Sequence, residues 1–251
     1  MESGGRDEAK NREFLSYMSL SMRSASDIVD GKSLESLSLS DVKKDEDLLE
    51  EPFRKLTEDD LEFFNHEVIN VYLELLKERE RREPKKFLKC HFFSTFFYRK
   101  LISERGGYDY KSVRRWTSQR KLGYSLLECD KIFVPVNKEN KHWCLAVINK
   151  KEKKFQYLDS LGGIDKQVMG VLEQYIVDEV KDKNGEDIDV TSWKQEFVTD
   201  LPNQQNGFDC GVFMIKYADF YSRDIGLCFK QENMPYFRLR TAKEILKLRA
   251  D

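Results

Sequence analysis

Nucleophilic and proton-transfer chemistry in this 251-residue chain must draw on few residues, chiefly five cysteines and three histidines. Cys210 has the most telling local setting. It follows Asn206-Gly207-Phe208-Asp209, precedes Gly211, and opens an amphipathic run that reads as a helix. A helix N-terminus carries roughly half a positive charge, which favours a thiolate. Cysteines placed there titrate at about 3.5–7.5 in place of about 8.5. Gly207 suits a tight turn that aims the thiol outward, and Gly211 leaves room for a substrate carbonyl. Cys90, Cys129, Cys144 and Cys228 lack such punctuation and read as small buried hydrophobes.

His142 starts a β-rich run, after the polar loop Asn137 to Lys141 and directly before Trp143. His66, between Asn65 and Glu67, reads as a solvated surface position, and His91, inside an aromatic segment, as a satisfied core histidine. Asp159 closes the next β-rich run. If the two strands are antiparallel neighbours, its carboxylate meets the imidazole, fixes the tautomer and stabilises the imidazolium. Taken alone, Asp159 reads equally well as the start of a turn before Ser160 and Gly162. Gln204 or Gln205, just ahead of Cys210, can offer a side-chain amide to an oxyanion, beside backbone N–H groups at the helix start. Together the thiol, imidazole, carboxylate and amide compose a site for acyl transfer.

The elements that position these groups follow from periodicity. Phe64, Val68, Tyr72, Leu75 and Leu76 share one helical face that ends before Pro84. The aromatic segment Cys90 to Leu101 reads as a buried helix, and Ser112 to Trp116 as a short one. Lys131–Val136, Trp143–Ile148 and Lys154–Leu158 read as strands. Asp165 can cap a helix bearing Val168, Leu172, Tyr175 and Ile176. Trp193–Val198 is a further strand candidate. A polar loop, Asp200 to Asp209, then leads into the Cys210 helix, with a last helix over Pro235 to Leu248. Helices, a sheet, then helices make an α+β domain.

Composition sets the surroundings. Lys+Arg (43) nearly cancel Asp+Glu (45), leaving a net charge of −2, so the basic excess of a general nucleic-acid binder is missing. No apolar run reaches the roughly 20 residues of a membrane span, and Met1 to Arg12 lacks the apolar core of a signal peptide. The cysteines form no CxxC pair, so neither a zinc site nor a disulfide framework is expected, and no cofactor. Residues 1–55, Ser-rich and then acidic, read as a disordered tail, and 56–251 as the folded domain.

The assembled residues resemble the ubiquitin-like-protein-specific (SUMO) proteases, cysteine peptidases with chain order His, Asp, Cys, of the plant type. The resemblance runs from about Phe63 to Asp251. It rests on His142-Trp143, Tyr157-Leu158-Asp159-Ser160 and Gln204-Gln205-Asn206-Gly207-Phe208-Asp209-Cys210-Gly211, with supporting signatures at Phe93–Tyr98, Val113–Trp116 and Met234–Arg238. It implies a papain-like-superfamily fold, a central mixed β-sheet flanked by helices. It implies His142, Asp159 and Cys210 as the catalytic triad and Gln204, rather than Gln205, as the oxyanion donor. Trp143, Phe63, Trp116, Asn206, Gly207 and Asp209 fall at substrate-binding positions. The implied partners are SUMO, ending in Gly-Gly, and SUMO-conjugated proteins, met by a monomer in the nucleus, at its periphery or in the cytoplasm. A modifier such as NEDD8, or a binding module of little activity, is the alternative. Where the family has Trp-Leu-Asn-Asp, this chain reads Phe63-Phe64-Asn65-His66, and the acidic stretch from Leu56 runs almost directly into that helix, implying a shortened amino-terminal lobe.

Overall fold

Helix α1 (Glu58–Arg82) forms because Ile69, Tyr72, Leu73 and Leu76 recur at the spacing that lines one face, and Arg79, Arg81 and Arg82 complement the negative end of its dipole. The computed structural model describes residues 58–103 and 107–251, with side chains from residue 66. The tail expected over 1–55 and the side chain of Phe63 lie outside the described residues.

The segment expected as one buried aromatic helix is divided. Cys90–Phe92 is a strand, β1, and only Phe97–Leu101 is helical (α2). All three strand residues are buried, so the run carries no alternation that would mark it as β. Short helices α3 (Tyr110–Val113) and α4 (Gln119–Leu122) follow, the first starting two residues ahead of expectation.

The sheet is completed by β2 (Lys131–Lys138), β3 (His142–Asn149), β4 (Lys154–Leu158) and β5 (Lys194–Phe197), in the spatial order β1-β2-β3-β4-β5. β3 is antiparallel to both neighbours, while the outer pairs β1–β2 and β4–β5 are parallel. Pro135 is tolerated in β2 because β1 pairs only with Lys131 to Phe133, so its missing N–H faces no partner strand. Glu139 and Asn140, both left-handed (φ 53° and 57°), turn the β2–β3 hairpin. Helix α5 (Lys166–Asn184) is capped by Asp165, whose carboxylate accepts the Val168 N–H at 3.1 Å. Helices α6 (Cys210–Ser222) and α7 (Met234–Leu246) close the fold.

Alternation along the strands sends side chains to two cores. Trp143, Leu145 and Val147 of β3 face α1, α6 and α7, whereas Cys144, Ala146 and Ile148 face α2 and α5. The first layer also holds a buried polar network. Arg79 donates to Asp219 (2.8 Å), Lys216 Nζ to Tyr72 Oη (2.7 Å) and Tyr72 to Glu244 (2.8 Å), tying α1, α6 and α7 together.

Candidate active site

The base and its carboxylate meet because β3 and β4 are antiparallel neighbours. Leu145 pairs with Leu158, so continuing the register sets Asp159 opposite Cys144, two residues from His142 on the same side of β3. His142 Nε2 donates to Asp159 Oδ1 at 2.6 Å, and the Leu161 N–H donates to the same oxygen at 2.8 Å. The carboxylate is buried and the imidazole largely so. Gly163 presses on Asp159 from outside: a Cβ there would overlap Oδ2, so glycine is required by close approach.

Cys210 is the first residue of α6, and its sulfur lies near enough to His142 for the ring to act on its ionisation. Burial pushes the thiol up, but it is outweighed by the His142 hydrogen bond and by the backbone N–H groups of Trp143 and Gly211, so the pKa falls below the ordinary thiol value. His142 is pushed up to about 12, first by the bond to Asp159, then by those to Cys144 and Cys210. Burial also raises Asp159, and the bonds from His142 and Leu161 overcome it, leaving the carboxyl below its usual range. These shifts favour a thiolate–imidazolium pair braced by a carboxylate.

Gln204 is tied to Ser160, the residue after Asp159. Its N–H bonds to the Ser160 carbonyl (2.9 Å), its Oε1 accepts from Ser160 Oγ (2.8 Å), and one Nε2 proton goes to the Asn206 carbonyl. The second Nε2 proton has no partner in these contacts, as an oxyanion donor requires. Gln205 instead uses its backbone N–H on Gln231.

The other expected site residues divide. Trp143 is buried over Gly211, with its indole 3.6 Å from where a Cβ would stand, which is ordinary contact. Asn206 braces the loop through Phe208, Asp209 and Gln204. Gly207 is not left-handed and a Cβ there would meet nothing, so the tight turn expected of it is not formed by φ > 0. Asp209 has both carboxylate oxygens enclosed and 2% exposure, so it presents backbone rather than side chain to any substrate. Trp116 packs on Phe97 (5.9 Å) in the α2–α5 layer, on the sheet face opposite α6.

His66 overturns its reading as solvated. It is buried, with Nδ1 at 2.8 Å from Thr95 Oγ1, stacked on Phe96 (4.9 Å, 6°) and edge-on to Trp143 (4.8 Å, 77°). Its polar neighbours mislead; the 3.6-residue period puts it on the face of Ile69 and Leu73. His91 is the core histidine expected, bonded to Tyr124 Oη at 2.9 Å. Cys228 is exposed, against expectation. Cys144 was missed as a site neighbour: its sulfur lies within 4.8 Å of ligand atoms of both His142 and Asp159. Those three could hold a metal ion by proximity, at the expense of the short His142–Asp159 bond. Its position two residues after His142 on a strand is the signal that would have found it.

Residues 62–250 match the Ulp1 protease family, C-terminal catalytic domain. The chain belongs to the Ulp1 protease family. Among curated relatives, the Arabidopsis thaliana ubiquitin-like-specific protease ESD4 is 65% identical over 189 residues, covering 75% of this chain and 38% of that one. Human sentrin-specific protease 2 is 41% identical over 186 residues, covering 73% of this chain and 30% of its own length. The chain thus spans well under half of these two Ulp1-family relatives. Among solved structures, the C-terminal Ulp1 protease domain in complex with Smt3, the yeast orthologue of SUMO, superposes with a TM-score of 0.59 at 29% identity, covering 72% of this chain and 76% of that one. The α+β fold with its mixed five-stranded sheet is therefore that of the Ulp1-type protease domain. No described helix is long and apolar enough to cross a membrane.

Proposed function

We propose that the chain is a SUMO-directed thiol protease that hydrolyses the bond after the modifier's terminal Gly-Gly, in precursors and in isopeptide conjugates. The observation that carries this reading is the His142–Asp159 hydrogen bond of 2.6 Å, with Cys210 at a helix N-terminus and its thiol lowered by His142. The family membership and the SUMO orthologue bound to the yeast relative support the substrate.

Cys210 attacks the glycine carbonyl as thiolate, and the oxyanion is met by the second amide proton of Gln204 and by N–H groups at the start of α6. His142, protonated in the resting pair, gives its proton to the leaving amine, and the amine departs to leave a thioester. His142, now neutral, takes a proton from water, which attacks the thioester and frees Cys210. Asp159 holds the ring in register throughout. Trp143 covers the glycines. By family resemblance the enzyme acts as a monomer at the nucleus, at its periphery or in the cytoplasm.

The test is cleavage of Gly-Gly-extended SUMO by the full chain, with Cys210→Ala as control. Turnover that is abolished in Cys210→Ala is expected; equal rates for the two proteins would refute the reading. Preference for NEDD8 in the same assay would keep the protease and replace its substrate.

A further inference from the structure

Asp209 is the N-cap residue of α6, where a carboxylate ordinarily accepts the free N–H groups of the first turn. It forms no such bond: its backbone is helical (φ −89°, ψ −1°), unlike the extended form of a capping residue, and its carboxylate is turned to other partners. Its Oδ1 accepts Arg238 Nε (2.9 Å) and Nη2 (2.5 Å), and its Oδ2 accepts Gln231 Nε2 (2.6 Å) and Asn206 Nδ2 (2.7 Å). Arg238 comes from α7 and also reaches the Phe208 carbonyl at 3.3 Å, with its guanidinium 5.6 Å over the Phe208 ring. Gln231 in turn accepts the Gln205 N–H at 2.8 Å. The whole loop from 205 to 209 is therefore latched to the chain segment 231–238.

The diversion matters because of what the helix end does instead. An N-cap side chain competes for the N–H of the second or third helical residue, here Gly211 or Val212. The Gly211 N–H is among the groups that lower the Cys210 thiol. A capping Asp209 would take that donor and place a negative charge beside the nucleophile. We propose that Arg238 is a positioning residue that draws the Asp209 carboxylate off the N-terminus of α6, leaving the Gly211 N–H and the positive helix end to the Cys210 sulfur. The proposal rests on Cys210 being the nucleophile.

The test is the pH dependence of Cys210 alkylation by iodoacetamide, read by peptide mapping so that Cys228 and the buried thiols do not contribute. It needs no modifier, so its failure is distinct from a failure of the wild-type chain to cleave SUMO. The groups around the sulfur are His142 from β3, Asp159 and Cys144 behind it, Asp209 and Arg238, and His66 of α1 across Trp143. Only Asp209 and Arg238 change across the variants.

Arg238→Gln is expected to move the alkylation midpoint up by about one pH unit, the lower end of what a like charge at ~4–6 Å does. Turnover near neutrality then falls through a smaller thiolate fraction. Adding Asp209→Asn should return the midpoint to that of the wild type, because the displaced group no longer carries charge. A purely structural role for Arg238 would lower the unfolding temperature without that rescue. A wild-type midpoint in Arg238→Gln, or a double variant that stays shifted, overturns the proposal. If Arg238→Gln does not fold, Arg238→Lys with and without Asp209→Asn supplies the same comparison, since lysine lacks the fork.

Discussion

Replacing Asp159 by asparagine keeps the side chain's size and removes its charge from beside the His142 imidazole. The N–O contact is 2.6 Å, and both partners are mostly out of water. Spreading each charge over its group puts the centres about 4 Å apart, where an effective dielectric near 20 gives ~4 kcal/mol of attraction. At about 1.4 kcal/mol per tenfold, that amounts to a loss of about 10³ in the chemical step. The asparagine amide can also turn a donor toward Nε2–H, which favours the wrong tautomer and deepens the loss. KM should hardly move, because Asp159 is 4% exposed and is shielded from substrate by His142. Single-turnover cleavage of Gly-Gly-extended SUMO at neutral pH isolates the step. A rate for Asp159→Asn within tenfold of the wild type would show that the carboxylate orients nothing that matters, and the electrostatic reasoning would fail.

Three more expectations follow from the same contacts. Gly163→Ala places a methyl on Asp159 Oδ2, so kcat should fall by about 10² as the carboxylate is displaced, with little change in thermal unfolding; unchanged kcat would mean that the loop yields instead. Asp219→Ala strands Arg79 and Lys216 in the core and should cost ~3–5 kcal/mol in urea unfolding, whereas a loss under ~1 kcal/mol would mean that Ser222 and the Asp251 carbonyl suffice for Arg79. The folded Cys210 thiol is more acidic than a free one, so alkylation should be fast above its lowered pKa and fail as pH drops through it. In His142→Ala burial is no longer opposed by the ring, and the same curve should move to higher pH; coincident curves would refute the ion pair.

Much of this architecture was legible in one sequence because its signals are local. Asp165 capping α5, the alternating strand before Asp159 and the amphipathic run after Cys210 each report their own conformation. β1 was hidden because a strand buried on both faces loses the alternation that identifies strands. His66 was misjudged because its neighbours in sequence are polar while its neighbours in space are Phe96 and Trp143. The Asp209–Arg238 latch spans 29 residues, and neither partner announces the other. Sequence spacing locates a nucleophile; it does not disclose which distant cation keeps its surroundings in order.

β3 begins with two residues that point to opposite sides of the sheet, the proton carrier His142 and then the indole of Trp143. A pleated strand repeats every two residues, so one residue inserted into the hairpin between Lys138 and His142, if absorbed as a slip of β3, would trade these outlooks. The indole would turn toward Asp159 and the imidazole toward α1, and both jobs would be lost at once. Length variation in this chain should therefore be rejected at that hairpin.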